Sequence, residues 1–278
     1  MKSHRLPRAA RSIAVVCLAF AVVLVAVISF STRAAARIEP SRANVTKAIA
    51  TRDVTRRGDV TRTKVSSEPI VLRDGATALF AYPPLPTSAA ALARAPLTVV
   101  YLHGIHGRPE NGCPWLREGA TEIGWLVCPA ANSPLPNGTF SWGGSLFEQH
   151  AVVARAEHAA QVNGATADTA NVIVGFSQGA YLAVDLVRAR LGSYRGLVLI
   201  AADVEPTFAM LTAAGVDRIV LAAGDLDGSS GPLKRTAARL AREGMDARFV
   251  SLGPIGHTYA TPETTALRDA IVWAGGSS

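Results

Sequence analysis

The chain has 278 residues, 49% of them hydrophobic, and carries 28 Lys and Arg against 21 Asp and Glu, a net charge of +7. That length accommodates one α/β domain with a sizeable core plus an extension, so folding requires no disulfide or metal staple. The positive charge does not indicate a nucleic-acid-binding domain: residues 1–67 hold 13 Lys and Arg against 3 Asp and Glu, whereas residues 68–278 hold 15 against 18, and binding would need a basic face on the folded part.

Lys2, Arg5, Arg8 and Arg11 precede an uncharged apolar run of 18 residues from Ile13 to Phe30. The run is longer than the core of a usual signal peptide and stands at the lower limit of a spanning helix. Ala34 and Ala36 supply a small-residue cleavage context. Residues 1–36 therefore read as a signal anchor or a signal peptide, and the sequence leaves both open. The basic flank places the N-terminus in the cytoplasm and the rest of the chain outside it. The domain is then membrane-anchored and extracytoplasmic, or secreted or periplasmic after cleavage. Cys17 lies mid-run without a small-residue cleavage context before it and does not read as a lipid attachment site. Residues 37–67 are rich in Arg, Thr, Ser and Lys with few large apolar residues. They read as a disordered basic linker, with a short helical stalk as the alternative. Cys113 and Cys128 are the remaining cysteines. In an oxidising compartment they are expected to pair, the alternative being two buried thiols.

From Glu68 to the end the texture is that of a catalytic domain. Pro69–Leu72 and Thr77–Tyr82 form an expected hairpin around Asp74 and Gly75. Short apolar runs follow at Leu97–Leu102, Trp125–Cys128, Asn171–Val174, Leu197–Ala201, Arg218–Ala223 and Ala247–Leu252. Their unalternated Val and Leu predict parallel strands buried on both faces. Helix-length stretches fall at Ser145–Val162, Gln178–Leu191, Pro206–Ala214, Pro232–Glu243 and Pro262–Trp273. The alternation predicts a doubly wound, mostly parallel sheet with helices on both faces. Arg108–Gly144, rich in Pro, Gly, Asn and Trp, reads as an insertion whose Trp115, Phe140 and Trp142 either line a cleft or pack the loop.

Four motifs carry chemistry. GFSQG at Gly175–Gly179 follows a predicted strand and opens a predicted helix. That context makes Ser177 a nucleophile on a sharp turn, with glycines letting neighbouring backbone pass closely. HGIHG at His103–Gly107 ends an early strand. Its turn at Gly104 is placed to offer the Ile105 N–H to an oxyanion, beside the N–H of Gln178. A metal-ligand reading of His103 and His106 lacks companion ligands, and His103 instead reads as a brace for the loop. GDLD at Gly224–Asp227 ends a strand in an acidic turn, and a later strand runs into a loop holding His257. A serine needs a base, and the base needs a carboxylate to set its tautomer. His4 precedes the apolar run, and His150 and His158 lie in a predicted helix, so His257 is the base. The spacing favours Asp227 as the acid, with Asp225 as the alternative.

These motifs resemble the α/β-hydrolase superfamily, in particular the dienelactone hydrolase, acyl-protein thioesterase and carboxylesterase group, across residues 68–275. The resemblance implies a Ser177–His257–Asp227 serine hydrolase that cleaves a small-molecule carboxylester or thioester through an acyl-enzyme. It implies no cofactor or metal. No segment after the sixth strand is long enough for a large lid domain. A serine peptidase of the same fold, or a non-catalytic hydrolase-like binding domain, stays open as the alternative.

Overall fold

The computed structural model describes residues 68–74, 77–85, 96–165, 171–190, 192–259 and 265–276. The N-terminal apolar run, the linker, Gly75 of the hairpin turn and the start of the last predicted helix lie outside the described residues. Among the described residues no helix is long and apolar enough to cross a membrane.

The hairpin forms as β1 (Ile70–Asp74) and β2 (Thr77–Tyr82), antiparallel with Asp74 opposite Thr77. Then come β3 (Leu97–Leu102), α1 (Pro109–Ile123), β4 (Gly124–Pro129), β5 (Ser133–Pro134) and β6 (Phe140–Ser141). The second half alternates as α2 (Leu146–Val162), β7 (Asn171–Phe176), α3 (Gln178–Ala189), β8 (Tyr194–Ile200) and α4 (Phe208–Ala213). It ends with β9 (Arg218–Ala223), α5 (Ser230–Arg242), β10 (Asp246–Ser251) and α6 (Ala266–Ala274). Eight strands make one sheet in the order β1-β2-β4-β3-β7-β8-β9-β10, and β5 and β6 make a separate two-stranded one. β1, β2 and β4 pair antiparallel, and every pairing from β4 across to β10 is parallel.

Successive side chains of the central strands go to opposite layers, as the period of two requires. Val100, Leu102, Ile173, Leu197, Leu199 and Leu221 pack with α2 to α5. Val99, Tyr101, Val172, Val174, Val198 and Ile200 pack with α1 and α6. The helices start where their caps allow. Ser145 accepts from the Glu148 N–H while Glu148 accepts from the Ser145 N–H, a reciprocal cap on α2. Between β8 and β9 the chain inserts only the six-residue α4, and no large lid stands there among the described residues.

Three features differ from the sequence expectation. Residues 109–123, read within an insertion, form α1, with Pro109 at its first turn, where a missing N–H costs nothing. Gly112, Pro114 and Gly119 lower its helix propensity, yet both glycines serve packing. A Cβ at Gly112 would stand 2.6 Å from the Tyr101 ring, and one at Gly119 would stand 2.7 Å from the Arg268 carbonyl on α6. The two-stranded sheet of β5 and β6 within the same stretch was also unforeseen. Finally, among the described residues β10 is an edge of the sheet rather than a strand buried on both faces, and none of its six residues is fully buried.

Cys113 in α1 and Cys128 in β4 are buried and joined by a disulfide, with Cα atoms 6.3 Å apart. Closing a span of 15 residues restricts the unfolded chain by about 3 kcal/mol. Changing both cysteines to alanine is therefore expected to lower the unfolding free energy in urea by about that amount. A loss below about 1 kcal/mol would show that the bridge stabilises little.

Candidate active site

Ser177 stands between β7 and α3 at φ 52°, ψ −118°, and its N–H donates to the Ile200 carbonyl at 2.9 Å. Among the described residues only His106, Ser177 and Ala201 combine a side chain with left-handed φ. All three follow carboxyl ends of strands, and backbone strain of this kind costs about 1–3 kcal/mol and collects at functional sites. The glycines of GFSQG are sterically required. A Cβ at Gly175 would lie 2.5 Å from the Ala180 Cα, and one at Gly179 would lie 2.8 Å from the His103 carbonyl oxygen. Neighbouring backbone therefore passes close on both sides of the turn.

The order in which the chain adds strands reverses between β3 and β7, the kind of switch point at which open α/β sheets bind ligands beyond the carboxyl ends of their strands. The loop after β3 turns over Ser177 there. A Cβ at Gly104 would come within 3.1 Å of the Ser177 Cβ and 3.0 Å of the Phe176 ring. Neither the Ile105 N–H nor the Gln178 N–H has a partner among the described residues.

His103 holds this loop and is fully buried. Its Nε2 accepts from the Ala131 N–H at 3.1 Å, which puts the proton on Nδ1, donated to the Gly104 carbonyl at 2.8 Å. Burial lowers its pKa, against the opposing pull of the Gly104 bond. Both ring nitrogens are thus engaged, which leaves no lone pair for a metal. Trp142 is buried and donates through Nε1 to the His103 carbonyl at 2.8 Å. The Gln178 side chain clasps the Trp142 backbone by accepting from its N–H and donating to its carbonyl. Trp142 is therefore a packing residue, and Phe140 packs half-buried beside it on the same core layer. Trp115 instead faces Tyr259, with ring planes 11° apart and centroids 6.5 Å apart.

Asp227 and His257 meet across the loops after β9 and β10. The approach depends on Gly224, where a Cβ would lie 2.7 Å from the Ile255 side chain and 2.8 Å from the Gly256 carbonyl. Asp227 Oδ2 stands 2.7 Å from His257 Nδ1. Its Oδ1 accepts from the Ser229 N–H at 2.8 Å and the Ser229 hydroxyl at 2.7 Å. Burial alone would raise the Asp227 pKa, but the two Ser229 bonds and His257 outweigh it and hold the carboxyl below its ordinary value. Asp225 points elsewhere, its Oδ1 accepting from the Ser251 hydroxyl at 2.6 Å and its N–H donating to the Gly253 carbonyl. The His257 ring lies 5.1 Å from that of Phe176, the residue before Ser177. Among the described residues no hydrogen bond joins Ser177 to His257; such contacts are often long without substrate and tighten in the complex.

The fold that these elements build is that of an α/β-hydrolase. It is similar to that of a carboxylesterase from Mesorhizobium loti (21% identity over 73% of this chain and 97% of the other, TM-score 0.51). It is also similar to a Bacillus cereus carboxylesterase (16% identity, 74% and 96% covered, TM-score 0.52) and an S-formylglutathione hydrolase from Staphylococcus aureus (16%, 72% and 92%, TM-score 0.50). No protein-family model and no curated protein matches the sequence.

Proposed function

We propose that the protein is a serine hydrolase that cleaves a small-molecule carboxylester or thioester through an acyl-enzyme on Ser177. The observation that carries this reading is the oriented Asp227–His257 pair beside a strained serine turn with two free N–H groups. His257 takes the Ser177 proton as the oxygen attacks the carbonyl, then returns it to the leaving group. Asp227, held by Ser229, keeps the proton of neutral His257 on Nδ1, so that Nε2 is free to act as base. The N–H groups of Ile105 and Gln178 stabilise the oxyanion, and this term commonly supplies the largest part of the barrier reduction. Water then attacks the acyl-enzyme with His257 again as base. Fold alone does not decide activity, although carboxylesterases among the similar structures favour an ester over an amide. Labelling by a fluorophosphonate probe and turnover of p-nitrophenyl esters of graded chain length test the reading. A chain that neither labels nor turns over any of them would be a binding domain.

We place the domain outside the cytoplasm, anchored by residues 1–36 or released from them. The basic flank and apolar run support this, as does a disulfide, which persists in oxidising compartments. The chemistry lies beyond Glu68, so deleting residues 1–67 is expected to leave kcat/KM on p-nitrophenyl acetate within about twofold of the full chain in detergent. Loss of folding or turnover would mean that residues 37–67 form part of the domain.

A further inference from the structure

The imidazole of His257 is itself 54% exposed, so its position depends on the loop that carries it. That loop is tied on its N-terminal side by the Asp225 N–H donating to the Gly253 carbonyl and the Leu226 N–H donating to the Ile255 carbonyl. On the C-terminal side, among the described residues, the tie is Tyr259, two residues beyond His257. Its hydroxyl lies 2.5 Å from that of Tyr101. The Tyr259 ring packs on Phe176 with centroids 4.2 Å apart and also stacks with Trp115. Phe176 in turn touches His257.

We infer that Tyr259 is a positioning residue for His257, holding the histidine loop at a set distance from β3 through the Tyr101 hydroxyl. The inference rests on the reading of Ser177, His257 and Asp227 given above. Tyr101 is fully buried, and its hydroxyl occupies the space that Gly112 leaves open on α1. Two phenylalanines would fill the same volume. A buried hydroxyl costs free energy unless it is paired, so the hydroxyl on β3 favours the loop position that satisfies it. β3 also carries the His103–Gly107 turn, which begins two residues after Tyr101. One hydrogen bond thus links the element that presents the Ile105 N–H to the loop that presents the base, with Phe176 of the nucleophile turn packed between. Burial raises the pKa of both phenols, so both keep their protons at neutral pH.

The test is a cycle of Tyr259→Phe, Tyr101→Phe and the double variant, assayed on p-nitrophenyl acetate and by thermal unfolding. In Tyr259→Phe, kcat is expected to fall about 10- to 100-fold, with KM within about twofold, because misplacement of a catalytic group acts on the chemical step. Its Tm also falls, since the Tyr101 hydroxyl is left buried without a partner. Removing both hydroxyls restores Tm but not kcat, an outcome that a merely structural contact would not give. Recovery of kcat together with Tm in the double variant, or wild-type kcat in Tyr259→Phe, would overturn the inference. Ser177→Ala is run alongside. Turnover that survives it overturns the reading of the site and the inference with it. Turnover that vanishes there but stays at the wild-type level in Tyr259→Phe overturns the inference alone.

Discussion

Replacing Ser177 with alanine is expected to abolish fluorophosphonate labelling and to lower kcat/KM on p-nitrophenyl acetate by on the order of 10⁵- to 10⁶-fold. The residue that remains would come from the Ile105 and Gln178 N–H groups and from binding. The fold should survive. The Ser177 hydroxyl makes no hydrogen bond among the described residues, so its removal leaves no buried group unpaired. Alanine meets the same backbone strain at φ 52° that serine already meets, so Tm is expected to stay within about 2 °C. Activity above about 1% of wild type would remove Ser177 from the mechanism.

Much of this arrangement is legible without coordinates because its determinants are local. β3 and β9 span the residues that their apolar runs predict, and the two hairpin strands pair antiparallel, although Asp74, read as part of the turn, ends β1 opposite Thr77. GFSQG carries its own steric logic, since both glycines face backbone that a side chain would strike. What the sequence hides depends on partners far along the chain. Gly112 and Gly119 read as helix breakers until Tyr101 and the Arg268 backbone are seen against them. The apolar run of β10 gives no sign that, among the described residues, nothing pairs on its far side. The Gln178 clasp on Trp142 spans 36 residues, and the Tyr101–Tyr259 bond spans 158. Neither has a short-range signature, because each joins a strand or helix residue to a loop far along the chain. The choice between Asp225 and Asp227 is of the same kind. They are two residues apart on one turn, and what separates them is which faces the histidine loop once Gly224 lets that loop approach.

That choice makes the second large prediction. Asp227→Asn is expected to lower kcat on p-nitrophenyl acetate by about 10⁴-fold, with little change in KM. An asparagine amide at the Asp227 position would donate to His257 Nδ1, which must then accept. The imidazole proton would sit on Nε2, facing Ser177, and the ring could no longer take the serine proton. Binding of substrate does not involve that proton, so the loss falls on kcat. The change leaves the side-chain shape intact, and the oxygen in the place of Oδ1 can still accept from Ser229, so the fold is expected to hold. Asp225→Asn sets the comparison. Its Oδ1 accepts from the Ser251 hydroxyl on the exposed edge strand, and an amide oxygen can accept there as well. Turnover in that variant is therefore expected to stay within about threefold of wild type. If Asp225→Asn were the crippled variant and Asp227→Asn the mild one, the carboxylate that orients His257 during turnover would be Asp225. The 2.7 Å contact between Asp227 and His257 would then have to break before the first chemical step.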